Sequence, residues 1–263
     1  MDNIHVHPGA RIGTGVTIEQ FSIIAENVEI GEGTWIGPHV IIMDYVKIGA
    51  NCKIFPGAII GGTPQDYKFG DEITYVEIGD NTVIREYVTI NRGTAAGRGK
   101  TVVGDNCMIM AYTHIAHDCI VGNNAIIVSY VGLSGYTEVG EYANIGGFTA
   151  VHQFCRIGAY SMVSGGSMIS KDVPPYSLVG HRPLAFFNLN LIGLRRKGFT
   201  SEQIERISDI YRIIYRNGLN LTDACRKIDE EIQDSQEKRA IMDFIKSSKR
   251  GILKKVKSSK SDD

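Results

Sequence analysis

Residues 12–60 read IGTGVTIEQFSIIAENVEIGEGTWIGPHVIIMDYVKIGANCKIFPGAII, with isoleucine at 12, 18, 24, 30, 36, 42, 48, 54 and 60. A spacing of six fits neither the helical period nor a heptad, but it suits short strands separated by turns. The phase resumes at Ile78, Ile84 and Ile90. It returns at Val103, Ile109, Ile115, Val121, Ile127, Leu133, Val139, Ile145, Val151, Ile157, Val163 and Ile169, which makes 24 hexads. Two positions before each aliphatic residue stand small or β-branched side chains such as Val16, Ser22, Thr34, Ala58, Thr113, Ala125 and Thr149. Positions two apart share a strand face. Both therefore point inward, the residue between them points out, and the other three turn a corner. Glycine follows the aliphatic residue in eleven of the 24 hexads, including Gly13, Gly31, Gly37, Gly104 and Gly158, as expected of a tight turn.

Strands that bury each other's faces repeat after repeat predict a parallel β-helix of about eight coils, with three hexads to a coil. Two segments break the phase, at 61–77 and 91–102, and are expected to project as loops, where binding residues concentrate. After Ile169 the run SKDVPPYSLVGHRP leads into helical spacing, with Ile204, Ile207, Ile210, Tyr211 and Ile214 on one stripe. Thr200 with Gln203, Asn220 with Asp223, and Asp234 with Glu237 mark three helix starts. The expected organisation is a β-helix over 1–185 and a small helical domain over 186–263. Seven basic residues between Lys246 and Lys260 read as a solvated face or frayed end.

Balanced charge, 28 Lys and Arg against 29 Asp and Glu, removes the electrostatic case for a nucleic-acid or polybasic membrane binder. The opening MDNIHVHPGA has no cationic segment followed by an apolar core, and no run of apolar residues is long enough to span a bilayer. A soluble cytoplasmic protein without integral membrane contact is the expectation. Five cysteines lack CxxC spacing, which argues against a disulfide framework or a zinc ribbon. Cys52, Cys107, Cys119 and Cys155 fall on the inward position and read as packing residues.

The densest polar cluster is Thr113-His114-Ile115-Ala116-His117-Asp118. The hexad phase points neither His114 nor His117 into the core, so neither is expected to be a buried structural histidine. Residues 18 apart stack, which sets Gly135 over His117 and Tyr136 over Asp118. A glycine above an imidazole leaves a backbone N–H free to meet a developing oxyanion while the imidazole takes a hydroxyl proton. Asp118 is a candidate to orient the ring. A zinc site from His114, His117 and His152 is the rival reading. His152 lies almost two coils beyond His117, too far within one chain, though ligands shared between subunits would satisfy it.

The hexads, HIAHDCIVG at 114–122, GGFTAVHQF at 146–154, KDVPPY at 171–176 and GLRRKGF at 193–199 resemble the UDP-N-acetylglucosamine O-acyltransferase family of lipid A biosynthesis. The resemblance spans essentially the whole chain. It implies a left-handed helix, where ordinary crossover rules favour the right hand. It also implies a homotrimer with sites between subunits, and cofactor-free transfer of a 3-hydroxyacyl chain from acyl carrier protein to the 3-hydroxyl of UDP-N-acetylglucosamine. His117 matches the family's general base, Gly135 its oxyanion donor and Asp118 the residue that orients the base. His114, His152, Gln153, Asp66, Lys68, Asn190 and Arg196 match substrate-contacting positions, as does Lys197, a lysine where the family has arginine. Gly165 matches the position that sets acyl-chain length, with Met168 close enough in sequence to refill part of the space. Tyr136 stands where better-known members have histidine, and Ile192 replaces a glutamate.

Within the same repeat class, the N-acyltransferase of the pathway carries a sizeable domain before its hexads, whereas here they begin by about residue 12. An acetyl-coenzyme A enzyme is less favoured because of HIAHD and GLRRKGF. A zinc carbonic anhydrase on the same helix would need metal held across subunits. Cys119 points inward, so no nucleophile is expected at the histidines and no acyl-enzyme is expected to form.

Overall fold

The computed structural model describes residues 3–70, 72–180, 183–216 and 218–255. Its first part is a three-sided prism. One face runs from His5–Val6 to Met168–Ile169, the second from Arg11–Ile12 to Arg156–Ile157, and the third from Thr17–Ile18 through Met162–Val163 to Ser177–Gly180 and Ala185–Leu189. Strands pair in parallel at a spacing of one coil, as in His114↔Gly132 and Ile115↔Leu133. Ala185–Leu189 instead runs antiparallel to Ser177–Gly180. The coils wind left-handed.

The phased aliphatic residues form the core: Ile24, Ile36, Ile42, Ile54, Ile84, Ile109, Ile115, Ile127 and Ile145 are fully buried. Each stabilises the fold by about 1.5–3 kcal/mol relative to exposure. The inward cysteines Cys52, Cys107, Cys119 and Cys155 are buried and unpaired. Burial pushes the Cys119 thiol up to about 12 and the Cys155 thiol up to about 11.

The corner chemistry differs from the sequence expectation. Apart from Gly61, the glycines that follow the aliphatic residue are not the left-handed ones; that conformation belongs two positions later. Among the described residues seventeen that are not glycine adopt it, including Asn51, Asn106, Tyr112, Asp118, Asn124, Tyr130, Tyr136 and Phe148. Left-handed backbone costs an L-residue about 1–2 kcal/mol. Asparagine tolerates it, and the aromatic residues offset it by stacking coil on coil. The Tyr112–Tyr130 and Tyr130–Phe148 rings lie 5.0 and 4.8 Å apart, contacts worth about 0.5–1.5 kcal/mol each. Glycine is needed after the aliphatic residue for clearance instead. A Cβ on Gly31 would lie 2.5 Å from the carbonyl carbon of Gly49, and one on Gly140 2.4 Å from the Ala159 nitrogen.

The prism also exceeds the hexad count. His5–Val6 adds a strand before residue 12, although Val6 is too exposed to stand out as a core position. At the other end Val173 bridges Ile157, so the proline-rich run completes a further coil. Strands reach into both expected loops, Ile59–Gly62 and Tyr75–Ile78 around the first, Thr89–Asn91 and Lys100–Val103 around the second. Residues 63–70, 72–74 and 92–99 remain outside strands.

Among the described residues four helices follow: α1 Leu191–Arg196, α2 Ser201–Arg216, α3 Leu221–Glu231 and α4 Gln236–Lys246. Thr200 and Gln203 exchange reciprocal hydrogen bonds before α2, and Asn220 caps α3 by accepting from the Asp223 N–H. The α4 cap is Ser235, one residue later than the expected Asp234. Serine accepts from the Lys238 N–H, while Asp234 pairs with Arg239. The apolar stripe of α2 packs on Tyr176, Phe186, Leu189 and Leu194. The chain then returns to the prism, where Leu253 joins the core at its open end. Within the basic tail, Lys246 pairs with Asp229; Lys257 and Lys260 lie outside the described residues.

Candidate active site

The HIAHD run occupies the edge between the first and second faces, with His114–Ile115 on one and Ile120–Val121 on the other. At this corner Asp118 takes the left-handed conformation, φ 59°. Its carboxylate thereby reaches back to the preceding side chain, and His117 Nδ1 donates to Asp118 Oδ2 at 2.9 Å. The imidazole is then the tautomer with a free lone pair on Nε2. Asp118 is fully buried and His117 is 5% exposed. The expectation that His117 would not be buried is corrected here. Gly135 and the Tyr136 ring of the next corner lie against it, outside the prism core.

That loop forms a cradle for Asp118. The Thr94 N–H reaches both carboxylate oxygens at 3.2 and 3.1 Å, and the Thr94 hydroxyl donates to Oδ2 at 2.7 Å. The Arg98 N–H donates to Oδ1 at 2.7 Å, and its guanidinium binds the Asp118 carbonyl and Glu138. Gly97 lies so close that a Cβ there would be 2.4 Å from Oδ1. Four donors satisfy the buried charge, as burial demands. Sequence reasoning marked this stretch as a loop but found neither Thr94 nor Arg98. A hydroxyl and a backbone N–H in a glycine-rich loop carry no signal of their target.

One coil on, Gly135 lies over His117 as stacking predicts. A Cβ on Gly135 would sit 2.6 Å from both Cε1 and Nε2 of the imidazole. Among the described residues no acceptor takes the Gly135 N–H. Tyr136 presents its ring edge-on to His117 at 5.3 Å and stacks on Phe154.

His114 sits on the adjoining strand, half-buried, with Nδ1 2.8 Å from the Thr89 hydroxyl. Burial first, and then the neighbouring His117, holds its imidazole below the ordinary histidine value. The register Thr89↔His114↔Gly132↔Ala150↔Met168 runs along this face, with open space where a Gly132 side chain would be. His152 and Gln153 are exposed one coil beyond Gly135. His114, His117 and His152 do not form a metal-holding group within the chain. Gly165 lies at the corner between the third and first faces, against the Gly147 carbonyl, and Met168 is 72% exposed. In the first loop Asp66 accepts from the Lys68 N–H at 3.0 Å, which shapes the turn that carries both.

The remaining expected residues lie on the third face. Asn190 caps α1 through Oδ1 to the Gly193 N–H and donates from Nδ2 to the Tyr160 carbonyl. Arg196 and Lys197 close the same helix, with Lys197 Nζ 4.5 Å from the Tyr142 ring centre. With Tyr160, Met162 and Ile192 they line a cleft of about 540 Å³. One chain therefore divides the expected site between the His117 corner and this cleft on another face.

Residues 172–253 match the family described as UDP N-acetylglucosamine O-acyltransferase, domain 2, and residues 27–62 and 100–135 match bacterial transferase hexapeptide repeats. The acyl-(acyl-carrier-protein)–UDP-N-acetylglucosamine O-acyltransferase of Thermodesulfovibrio yellowstonii is 44% identical over 258 residues, 97% of this chain and 100% of its own. That of Aquifex aeolicus is 56% identical over 201 residues, 76% of this chain and 77% of its own. The crystal structure of the UDP-N-acetylglucosamine acyltransferase from Bacteroides fragilis superimposes with a TM-score of 0.94 at 46% identity, over 97% of this chain and 99% of that one. With identity of this extent and the same fold from end to end, the chain belongs to the acyl-(acyl-carrier-protein)–UDP-N-acetylglucosamine O-acyltransferase family and is an acyltransferase.

Proposed function

We propose that the chain transfers a 3-hydroxyacyl group from acyl carrier protein to the 3-hydroxyl of UDP-N-acetylglucosamine, the first step of lipid A biosynthesis, by direct general-base catalysis. The observation that carries the mechanism is the His117 imidazole, held through Nδ1 by a buried carboxylate, with Nε2 beneath a glycine whose N–H meets no acceptor among the described residues. Nε2 takes the sugar hydroxyl proton as the oxygen attacks the thioester carbonyl. The Gly135 N–H stabilises the oxyanion, and Asp118 stabilises the imidazolium as it forms. Collapse of the tetrahedral intermediate breaks the C–S bond, and the imidazolium returns its proton to the departing thiol. A base of this kind is worth about 10²–10⁴ in rate, and one oxyanion donor about 10²–10³. No cofactor enters the scheme. Cys119 points its thiol at the Ser134 carbonyl inside the prism, which supports direct transfer without an acyl-enzyme.

The acceptor engages His114, His152, Gln153, Asp66 and Lys68 of one chain, and Asn190, Arg196 and Lys197 of its neighbour in a homotrimer. The division of these residues between two faces of the prism supports that arrangement, since a second copy can bring the α1 cleft beside the His117 corner. The acyl chain follows the face of small side chains beyond His114 towards Gly165. The protein works as a soluble cytoplasmic enzyme; no helix among the described residues is long and apolar enough to cross a membrane.

Purified protein, UDP-N-acetylglucosamine and 3-hydroxyacyl carrier proteins of several lengths, with products read by mass, test this reading. The O-acylated nucleotide sugar is the expected product, and His117→Ala should lower kcat by about 10³ or more. A variant that kept most of its kcat would sink the assignment of the base.

A further inference from the structure

The carboxylate that holds His117 is itself held by a directional chain of hydroxyls. Asp118 Oδ2 accepts from His117 Nδ1 at 2.9 Å and from the Thr94 hydroxyl at 2.7 Å. Because the Thr94 proton is committed to Asp118, the contact of 3.3 Å between Thr94 Oγ1 and the Tyr136 hydroxyl has one possible direction. Tyr136 donates, and Thr94 accepts. Tyr136 cannot swing freely, since its ring stands edge-on to His117 and stacked on Phe154, 4.6 Å away. Its backbone N–H is fixed by the His117 carbonyl at 3.1 Å. One side chain thus touches the base by its ring and the base's orienting carboxylate through Thr94.

The two hydroxyls meet this network at the Asp118 carboxylate that holds Nδ1, and not at Nε2. Their effect must pass through Asp118. A histidine at 136 would bring a titratable ring to this corner; tyrosine brings a neutral donor that polarises Thr94 towards the carboxylate.

We propose that Thr94 and Tyr136 are positioning residues for the acyl transfer, setting the orientation of the Asp118 carboxylate and through it the Nδ1-protonated tautomer of His117. The proposal rests on the reading of His117 as general base. Thr94 contributes the larger share, because it supplies both a hydroxyl and a backbone N–H to the carboxylate. Tyr136 restricts which way the Thr94 hydroxyl points.

The test uses the full chain with UDP-N-acetylglucosamine and a 3-hydroxyacyl carrier protein, measuring kcat and KM separately for Thr94→Val, Thr94→Ser and Tyr136→Phe. Thr94→Val should lower kcat by about 10-fold to 100-fold with KM for the nucleotide sugar changed less than about twofold. Thr94→Ser, which keeps the hydroxyl, should recover most of that loss. Tyr136→Phe, which keeps the ring, should lower kcat by about threefold to tenfold. In an Asp118→Ala background both losses should vanish, as coupling through a shared partner requires. Unchanged kcat in Thr94→Val and Tyr136→Phe, or equal losses with and without Asp118, would overturn the positioning roles. His117→Ala in the same assay separates the two ideas: if it stays active the base assignment fails, and if it is inactive while Thr94→Val and Tyr136→Phe turn over normally only the positioning proposal fails.

Discussion

Gly135 lies over the His117 ring so closely that a Cβ would come within 2.6 Å of Cε1 and Nε2. The contact joins an absence of side chain to the placement of an imidazole. Only glycine lets the ring occupy this position while leaving a backbone N–H beside it.

Gly135→Ala should therefore displace the imidazole from its bond with Asp118. A shift of about 1 Å at a reacting group costs on the order of 10² in rate, so kcat should fall by about that factor. Overpacking should cost about 1–3 kcal/mol of stability. Steady-state kinetics and a urea melt on the same preparation check both.

The inward thiols predict chemical silence. Cys119 is fully buried and its thiol is pushed up to about 12 by burial. Cys119→Ala should keep wild-type kcat and lose about 1 kcal/mol. In native protein at neutral pH the four prism cysteines should resist a thiol reagent that labels all five after denaturation.

The corners make opposite demands at neighbouring positions. Gly140→Ala drives a Cβ to 2.4 Å from the Ala159 nitrogen and 2.7 Å from its Cα, so it should destabilise by about 1–3 kcal/mol. Asn106 is left-handed at φ 55°, and Asn106→Gly should stay within about 1 kcal/mol of the parent. Denaturant midpoints for the pair would separate clearance from conformation; equal losses would refute the distinction.

Leu253 seals the last coil, anchored by its N–H to the Asp172 carbonyl and 5% exposed. Leu253→Ala should open a cavity there and cost about 2–5 kcal/mol. Hydrogen exchange should show the loss of protection concentrated at Met162–Val163 and Ser177–Gly180.

His114 should leave a mark on stability against pH. Its imidazole is depressed by burial and then by His117, so the unfolded chain binds a proton at higher pH than the folded one. The sign follows: its contribution is fully present above the ordinary value of about 6.5 and is lost as pH falls through the depressed folded value. His114→Gln should flatten the fall of the melting temperature across that window, with Thr89 still able to hydrogen-bond the new side chain.

How much of the site was legible depended on periodicity. A strict repeat of six carries three-dimensional information, because residues 18 apart must stack; that is why Gly135 could be set over His117 from spacing alone. The second loop obeys no period. Thr94 reaches Asp118 across 24 positions in sequence, and nothing in the residue types NRGTAAGRGK specifies where a hydroxyl will land. The α4 start slipped by one residue because Asp234 and Ser235 are both good caps; Ser235 takes the Lys238 N–H and Asp234 pairs with Arg239 instead.

By itself the sequence determined the prism, its inward aliphatic and cysteine columns, and the stacking of Gly135 over His117. All of these follow from local spacing, which stacking converts directly into position. Tertiary structure alone decided that the corner of His117 would be buried, that Asp118 would be held by Thr94 and Arg98, and that the α1 cleft would lie on another face. Those depend on where an aperiodic loop and an antiparallel strand fold back. Such contacts are settled by clearance, burial of charge and the reach of individual donors, and a repeat does not encode them.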